Sequence, residues 1–176
     1  MTIARTRHLP AGSAAEIPTH FLYPGTVFIH PEPHRVTTVL GSCISVCLWD
    51  RSAGVGGINH FLLPLWNGEG LSTPRYGNIA IERLLEGMLR LGCRRESMVA
   101  KVFGGATMWS NPNGLIAIGK RNVELAWKML QEQQIPILGS QVGGDVGRKI
   151  IFHSGTGEVM LRRCAPARPC APASLP

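Results

Sequence analysis

The stretch CISVCLW (43–49), DRSAG (50–54), VGGINHFLL (55–63) decides how this chain folds. Two apolar runs rich in β-branched residues flank a segment of turn composition, the pattern of a β-hairpin. A four-residue loop at Asp50–Ala53 sets Trp49 opposite Gly54 and Cys43 opposite His60. Directly opposed Cβ atoms lie about 5 Å apart, within thiol–imidazole reach. A slip of one residue sends the two side chains to opposite faces, and Gly56-Gly57 offers a bulge that would cause it.

Outward from the hairpin, GTVFIH (25–30) and RVTTVL (35–40) read as strands separated by a turn at Pro31 and Pro33. MVAKVF (98–103) runs into Gly104-Gly105, IPILGS (135–140) is a further strand, and RKIIFHSGTGEVMLRR (148–163) is a second hairpin. Residues 77–91 place apolar side chains at 81, 84, 85, 88 and 89, a helical spacing with Asn78 and Gly92 as caps. RNVELAWKMLQEQQ (121–134) is a second amphipathic helix, with Asn122 as its N-cap. Many strands and two helices that do not strictly alternate give an α+β fold, a layered sandwich with a mixed sheet at its core. Residues 1–20 read as a mobile leader, 21–163 as one domain, and the Pro/Ala-rich 164–176 as a disordered tail.

Cys43 and Cys47 lie in one predicted strand. Residues four apart in a strand are about 13 Å apart, whereas a disulfide needs Cα atoms within roughly 7 Å, so a bond between them is excluded. A metal pair fails for the same reason, and no second Cys/His pair with structural-zinc spacing follows. Cys47, between Val46 and Leu48, reads as a small core residue. Cys43 follows Gly41-Ser42 where a turn enters the strand, so both a buried thiol and a nucleophile at a sheet edge are open to it. His60 is the histidine that the hairpin register brings nearest, and both a satisfied core histidine and a base for the thiol are open to it.

Composition narrows the function classes. The 176 residues carry a net charge of +7, but the basic residues are scattered in pairs, and eleven aromatics show no RNA-binding signature. A solvated basic surface is the first reading, an acidic protein partner the second, and nucleic acid a poor third. No window approaches the roughly 20 apolar residues of a membrane span, and no secretory signal is read at the start. Five irregularly spaced cysteines fit a reducing, cytoplasmic setting.

TTVLGSCISVCLWD, GGINHFLLP, YGNIAIERLLEGM, KVFGGATMW, IGKRNVELAWKML and VGGDVGRKIIFHSGTGEVMLRR, in that order, resemble the CheD family of chemoreceptor glutamine deamidases from about residue 22 to 163. The resemblance implies a layered fold similar to the cytotoxic necrotizing factor toxins. It also implies a catalytic set of Cys43 as nucleophile, His60 as base and Thr37 as the residue that orients it, with Thr38 adjacent. No cofactor or metal is implied. The expected partners are methyl-accepting chemoreceptors and a CheC-type phosphatase, and the expected reaction runs through a thioester on Cys43. Oxyanion donors are expected among the backbone N–H groups of Ser42-Cys43 or Gly104-Gly105.

Overall fold

The computed structural model describes residues 16–107 and 116–164; the segment 108–115 and most of the expected leader and tail lie outside the described residues. The strands are β1 (Thr19–Phe21), β2 (Thr26–Ile29), β3 (Arg35–Leu40), β4 (Ile44–Asp50), β5 (Val55–His60), β6 (Met98–Gly104), β7 (Ile137–Val142), β8 (Arg148–His153) and β9 (Val159–Arg163). The helices are α1 (Gly77–Arg90) and α2 (Ile116–Glu132). The strands form two sheets, β1-β3-β8-β9 and β2-β5-β4-β6-β7. Pairing is antiparallel except at β1–β3 and β6–β7, so both sheets are mixed.

Two apolar layers hold three structural layers together. Even-numbered residues of β4, Ile44, Val46 and Leu48, pack with Ile81, Leu84, Leu85 and Met88 of α1 and Ala126 and Leu130 of α2. Each large side chain so buried contributes about 1.5–3 kcal/mol. On the other face of the same sheet, Cys47, Ile58 and Phe103 meet Val36, Leu40, Ile150 and Phe152 of the four-stranded sheet. The order is therefore four-stranded sheet, five-stranded sheet, helices, the α+β sandwich expected from the element pattern. The first strand starts at Thr19, inside the stretch read as leader, because its backbone pairs in parallel with Arg35–Thr37 of β3.

The helix N-termini differ from expectation, whereas Gly92, at φ +84°, closes α1 as expected, its N–H going to Leu89 O and that of Cys93 to Met88 O. The N-cap of α1 is Tyr76, while Asn78 accepts the Trp66 N–H at 3.1 Å; Leu91 is the C-cap and Gly92 follows it. Asn122 is no cap, because α2 begins at Ile116 and runs through Gly119. A mid-helix glycine costs about 1 kcal/mol relative to alanine. Here it permits close approach, since a Cβ on Gly119 would sit 2.7 Å from the Gly105 carbonyl oxygen. The helix thus rests almost on the loop that follows β6.

The β4–β5 hairpin forms, two residues out of the expected register. Asp50 ends the strand and pairs with Val55, Trp49 with Gly56, and Cys47 with Ile58. Asp50 Oδ1 accepts the N–H groups of Ser52 (2.8 Å) and Ala53 (3.0 Å), and its carbonyl accepts from Gly54, whose φ of +65° closes the loop. That carboxylate makes Arg51–Gly54 the loop and draws Asp50 into the ladder. Gly56 and Gly57 remain paired with Trp49 and Leu48, with no bulge. A Cβ on Gly56 would instead meet Phe152 and the Ser154 carbonyl, each at 2.8 Å, so this glycine serves sheet-to-sheet contact.

Candidate active site

The last rung of the hairpin is Ile44–Phe61, and continuing the register sets Ser45 opposite His60 and Cys43 opposite Leu62. A shift of two residues preserves the face. Cys43 and His60 are therefore diagonal neighbours on the inner face of the five-stranded sheet rather than directly opposed. His60 is buried, Cys43 half-buried. Cys47, on the same face but deep in the inter-sheet layer, is 2% exposed, and burial drives its thiol far up; it is structural.

The facing sheet supplies the third group, and it is Thr38. Thr38 Oγ1 lies 2.8 Å from His60 Nδ1 and donates its own hydrogen to the Leu22 carbonyl at 2.8 Å. Thr37 does not meet the imidazole. Along β3 the residues Val36, Thr38 and Leu40 are fully buried, and strand alternation turns Thr37 to the outer face. The hydroxyl beside the imidazole is thus Thr38, the neighbour of the Thr37 expected from the sequence.

The hydrogen-bond chain assigns the imidazole tautomer. The hydroxyl proton goes to a carbonyl, so Oγ1 accepts from the ring, and Nδ1 carries the hydrogen. Nε2 is left with its lone pair, buried and without a hydrogen-bond partner among the described residues, Cys43 Sγ included. Burial lowers His60 to about 4, opposed by the Leu22 carbonyl. Burial raises the Cys43 thiol, opposed by its own backbone N–H. At neutral pH the resting pair is a neutral thiol and a neutral imidazole rather than an ion pair. Such a pair operates by proton transfer during attack.

The backbone around Cys43 is tightly specified. Its carbonyl accepts the Gly105 N–H at 2.8 Å, and Ala106 N–H goes to Gly41 O at 2.8 Å. Gly104 has φ +113°, and a Cβ there would run into the Cys43 carbonyl, so no other residue fits. The Gly105 N–H is thus already engaged and is not free for an oxyanion. Among the described residues no carbonyl takes the N–H of Cys43 itself. Arg148, buried, donates to the carbonyls of Gly104 at 2.9 Å and Gly143, pinning the same corner from the four-stranded sheet.

Sequence reading also missed Asn122. It is fully buried, and its Nδ2 donates to Ser42 O at 3.1 Å and Leu62 O at 2.9 Å. The signal was present: Asn122, Ala126 and Leu130 share one helical stripe at i, i+4, i+8, so an inward-facing amide was readable. Among the described residues no cluster of three His, Cys, Asp or Glu side chains would hold a metal, and Cys43, Cys47, Cys93 and Cys164 are free thiols. No helix among them is long and apolar enough to cross a membrane.

Fold and site define a three-layer α+β domain in which a half-buried thiol and a histidine of one sheet meet a threonine of the facing sheet. The family described as CheD chemotactic sensory transduction matches residues 62–163. A probable chemoreceptor glutamine deamidase CheD of Trichlorobacter lovleyi is 55% identical over 144 residues, 82% of this chain and 89% of its own. Another relative so named, from Sulfurimonas denitrificans, is 46% identical over 81% of this chain and 92% of its own. One from Anaeromyxobacter dehalogenans is also 46% identical, over 81% and 83%. The chain belongs to the CheD family.

Proposed function

We propose that the chain is a protein-glutamine deamidase that converts glutamine side chains of methyl-accepting chemoreceptors to glutamate, acting in the cytoplasm in chemotactic adaptation. The observation that carries this reading is the Leu22–Thr38–His60 chain, which leaves an unprotonated, unpartnered Nε2 on the same face as the Cys43 thiol. The names of the relatives supply the substrate class.

The reaction follows from the groups present. Cys43 Sγ attacks the γ-carboxamide carbon as its proton passes to His60 Nε2. The carbonyl oxygen becomes an oxyanion, for which the Cys43 N–H is the candidate donor. When the C–N bond breaks, the Nε2 proton goes to the departing nitrogen and ammonia leaves. Water then attacks the Cys43 thioester, giving its proton to Nε2; the C–S bond breaks, and that proton returns to sulfur. Thr38 keeps Nδ1 protonated throughout, the orienting role of a triad's third member, with a neutral hydroxyl where many sites use a carboxylate. Thr38 therefore replaces Thr37 in the proposed set of Cys43, His60 and Thr38.

A basic surface suits an acidic helical receptor. The four strands β1, β3, β8 and β9 contain no Asp or Glu, and Arg35, Lys149 and Arg162 on them are exposed. A CheC-type phosphatase is the second partner that membership of the family implies. Two other readings remain defined alternatives: a receptor-binding adaptor without activity, and a different Cys–His hydrolase such as a peptidase. The deciding experiment incubates the purified protein with a receptor's cytoplasmic fragment, with a CheC-type partner present and absent, and reads peptide masses and ammonia. Deamidation leaves the backbone intact and releases one ammonia per altered glutamine. A cut backbone selects the peptidase; no change under either condition selects the adaptor.

A further inference from the structure

Helix α2 passes over the point where the β4–β5 hairpin opens. Up to the Ile44–Phe61 rung the two strands are joined, with both backbone bonds of that rung at 3.0 Å. An antiparallel ladder would next join Ser42 to Leu63. Instead Leu63 donates to Arg75 O at 3.0 Å and accepts from Gly77 N–H at 2.8 Å, so the chains part. One side chain bridges the gap. Asn122 Nδ2 donates to Ser42 O, the residue before Cys43, and to Leu62 O, two residues after His60.

The orientation of this amide is fixed by chemistry. Both neighbours are carbonyls, which only accept, so the nitrogen must be the end that faces them. The opposite end, Oδ1, is buried with no partner among the described residues. A lone buried acceptor opposes stability. An amide retained on a stripe with Ala126 and Leu130, where an apolar side chain would pack without that cost, points to a task other than packing. The close Gly119–Gly105 contact one turn earlier is what brings α2 low enough for the amide to reach.

We propose that Asn122 is a positioning residue for the thiol–imidazole pair: its two N–H bonds, one to each parting chain, set the separation of Cys43 from His60. Asn122 touches neither reacting group and acts through the backbone on either side of them. The turnover arm of its test rests on the deamidase reading, whereas the labelling arm does not.

The test compares wild type with Asn122→Ala and with Leu130→Ala, a control that empties another buried position on the same helix stripe. Two quantities are measured on protein shown folded by circular dichroism: kcat and KM on a receptor cytoplasmic fragment, and iodoacetamide alkylation of Cys43 across pH, read by peptide mass. Asn122→Ala is expected to lower kcat about 10²-fold, with KM changed by less than about twofold. Its Cys43 alkylation at neutral pH slows about tenfold, because His60 no longer stands where it can take the thiol proton as sulfur attacks the reagent. Leu130→Ala lowers the melting temperature at least as much and keeps both quantities. If Asn122→Ala does not fold, Asn122→Ser, which retains one donor, is read by the same criteria. A folded Asn122 variant indistinguishable from Leu130→Ala in both quantities overturns the proposal. If wild type fails to deamidate while labelling still depends on Asn122, the positioning role stands and the deamidase reading falls.

Discussion

Replacing Thr38 by valine keeps the outline of the side chain and removes only the hydroxyl. Two bonds of 2.8 Å disappear, one from His60 Nδ1–H and one to the Leu22 carbonyl. The Leu22 carbonyl lies near enough to the imidazole to favour its charged form, so the two groups left by the deletion offset each other in part. The net cost in stability is then about 1 kcal/mol rather than the sum of two buried orphans. The kinetic cost is larger, since a carbonyl alone holds the ring less firmly and the bare Nε2 no longer has a fixed aim. A loss of about 10- to 10²-fold in kcat, roughly 1.4–2.7 kcal/mol of barrier, is expected. The assay is deamidation of a receptor fragment at saturating concentration, alongside the ¹⁵N signature of the His60 tautomer. Wild type shows Nδ1–H, and Thr38→Val shows a mixture. Thr37→Val, on the outer face, keeps full kcat and shifts stability by less than about 0.5 kcal/mol. A fully active Thr38→Val beside an impaired Thr37→Val refutes the assignment.

Four further outcomes are expected. Cys43→Ala abolishes turnover in folded protein, whereas Cys47→Ala costs about 1 kcal/mol and retains it, as activity assays and urea titrations will register; equal loss of activity in both breaks the division of roles. The acid limb of kcat lies near pH 4, where burial places His60, and an inflection near the ordinary histidine value speaks against a neutral buried base. The same depression makes the unfolded chain take up the His60 proton first on acidification. Stability therefore falls from about pH 6.5 downward, by about 3 kcal/mol at pH 4, and His60→Asn flattens that slope in denaturant midpoints. Burial raises the Asp50 carboxyl, but the N–H groups of Arg94, Ala53 and Ser52 outweigh it and hold it below its ordinary range. Its contribution is present above the unfolded carboxylate range and is lost as pH falls through the depressed folded value. Asp50→Ala, which removes those acceptors, lowers stability by about 2 kcal/mol at neutral pH in urea titration and leaves KM unchanged.

Local pattern made most of the fold legible. RVTTVL became β3 residue for residue, and both hairpins and both helices formed because their periodicity is set by neighbours in the chain. What was not legible depends on partners far away. Strand β1 is three exposed residues whose only reason to be a strand is β3, and β7 lies parallel to β6 across a helix. The hairpin register slipped by two because Asp50 was counted as a loop residue when its carboxylate caps the loop from the strand. For Thr38 the clue was local and went unused. Putting Thr37 inside would also have put Arg35 inside, whereas Val36, Thr38 and Leu40 make an uncharged inner face. Asn122 reads as a cap by residue type at the head of RNVELAWKMLQEQQ, whereas α2 begins at Ile116 and places it inside the helix.

The sheet-to-sheet origin of the site bears on when the enzyme comes into being during synthesis. Cys43 and His60 share a hairpin, so the pairing that brings them together is local in sequence. Thr38 is held against them only when β3 pairs with Arg148–His153, more than a hundred residues later in sequence. Contacts of such long range form late and slowly, since the intervening chain must first be made and closed. The thiol and imidazole are therefore synthesised well before the strand that holds the Thr38 hydroxyl against them. By the reasoning applied to Thr38→Val, a copy in which the four-stranded sheet has not closed is expected to be slower by at least the same 10- to 10²-fold.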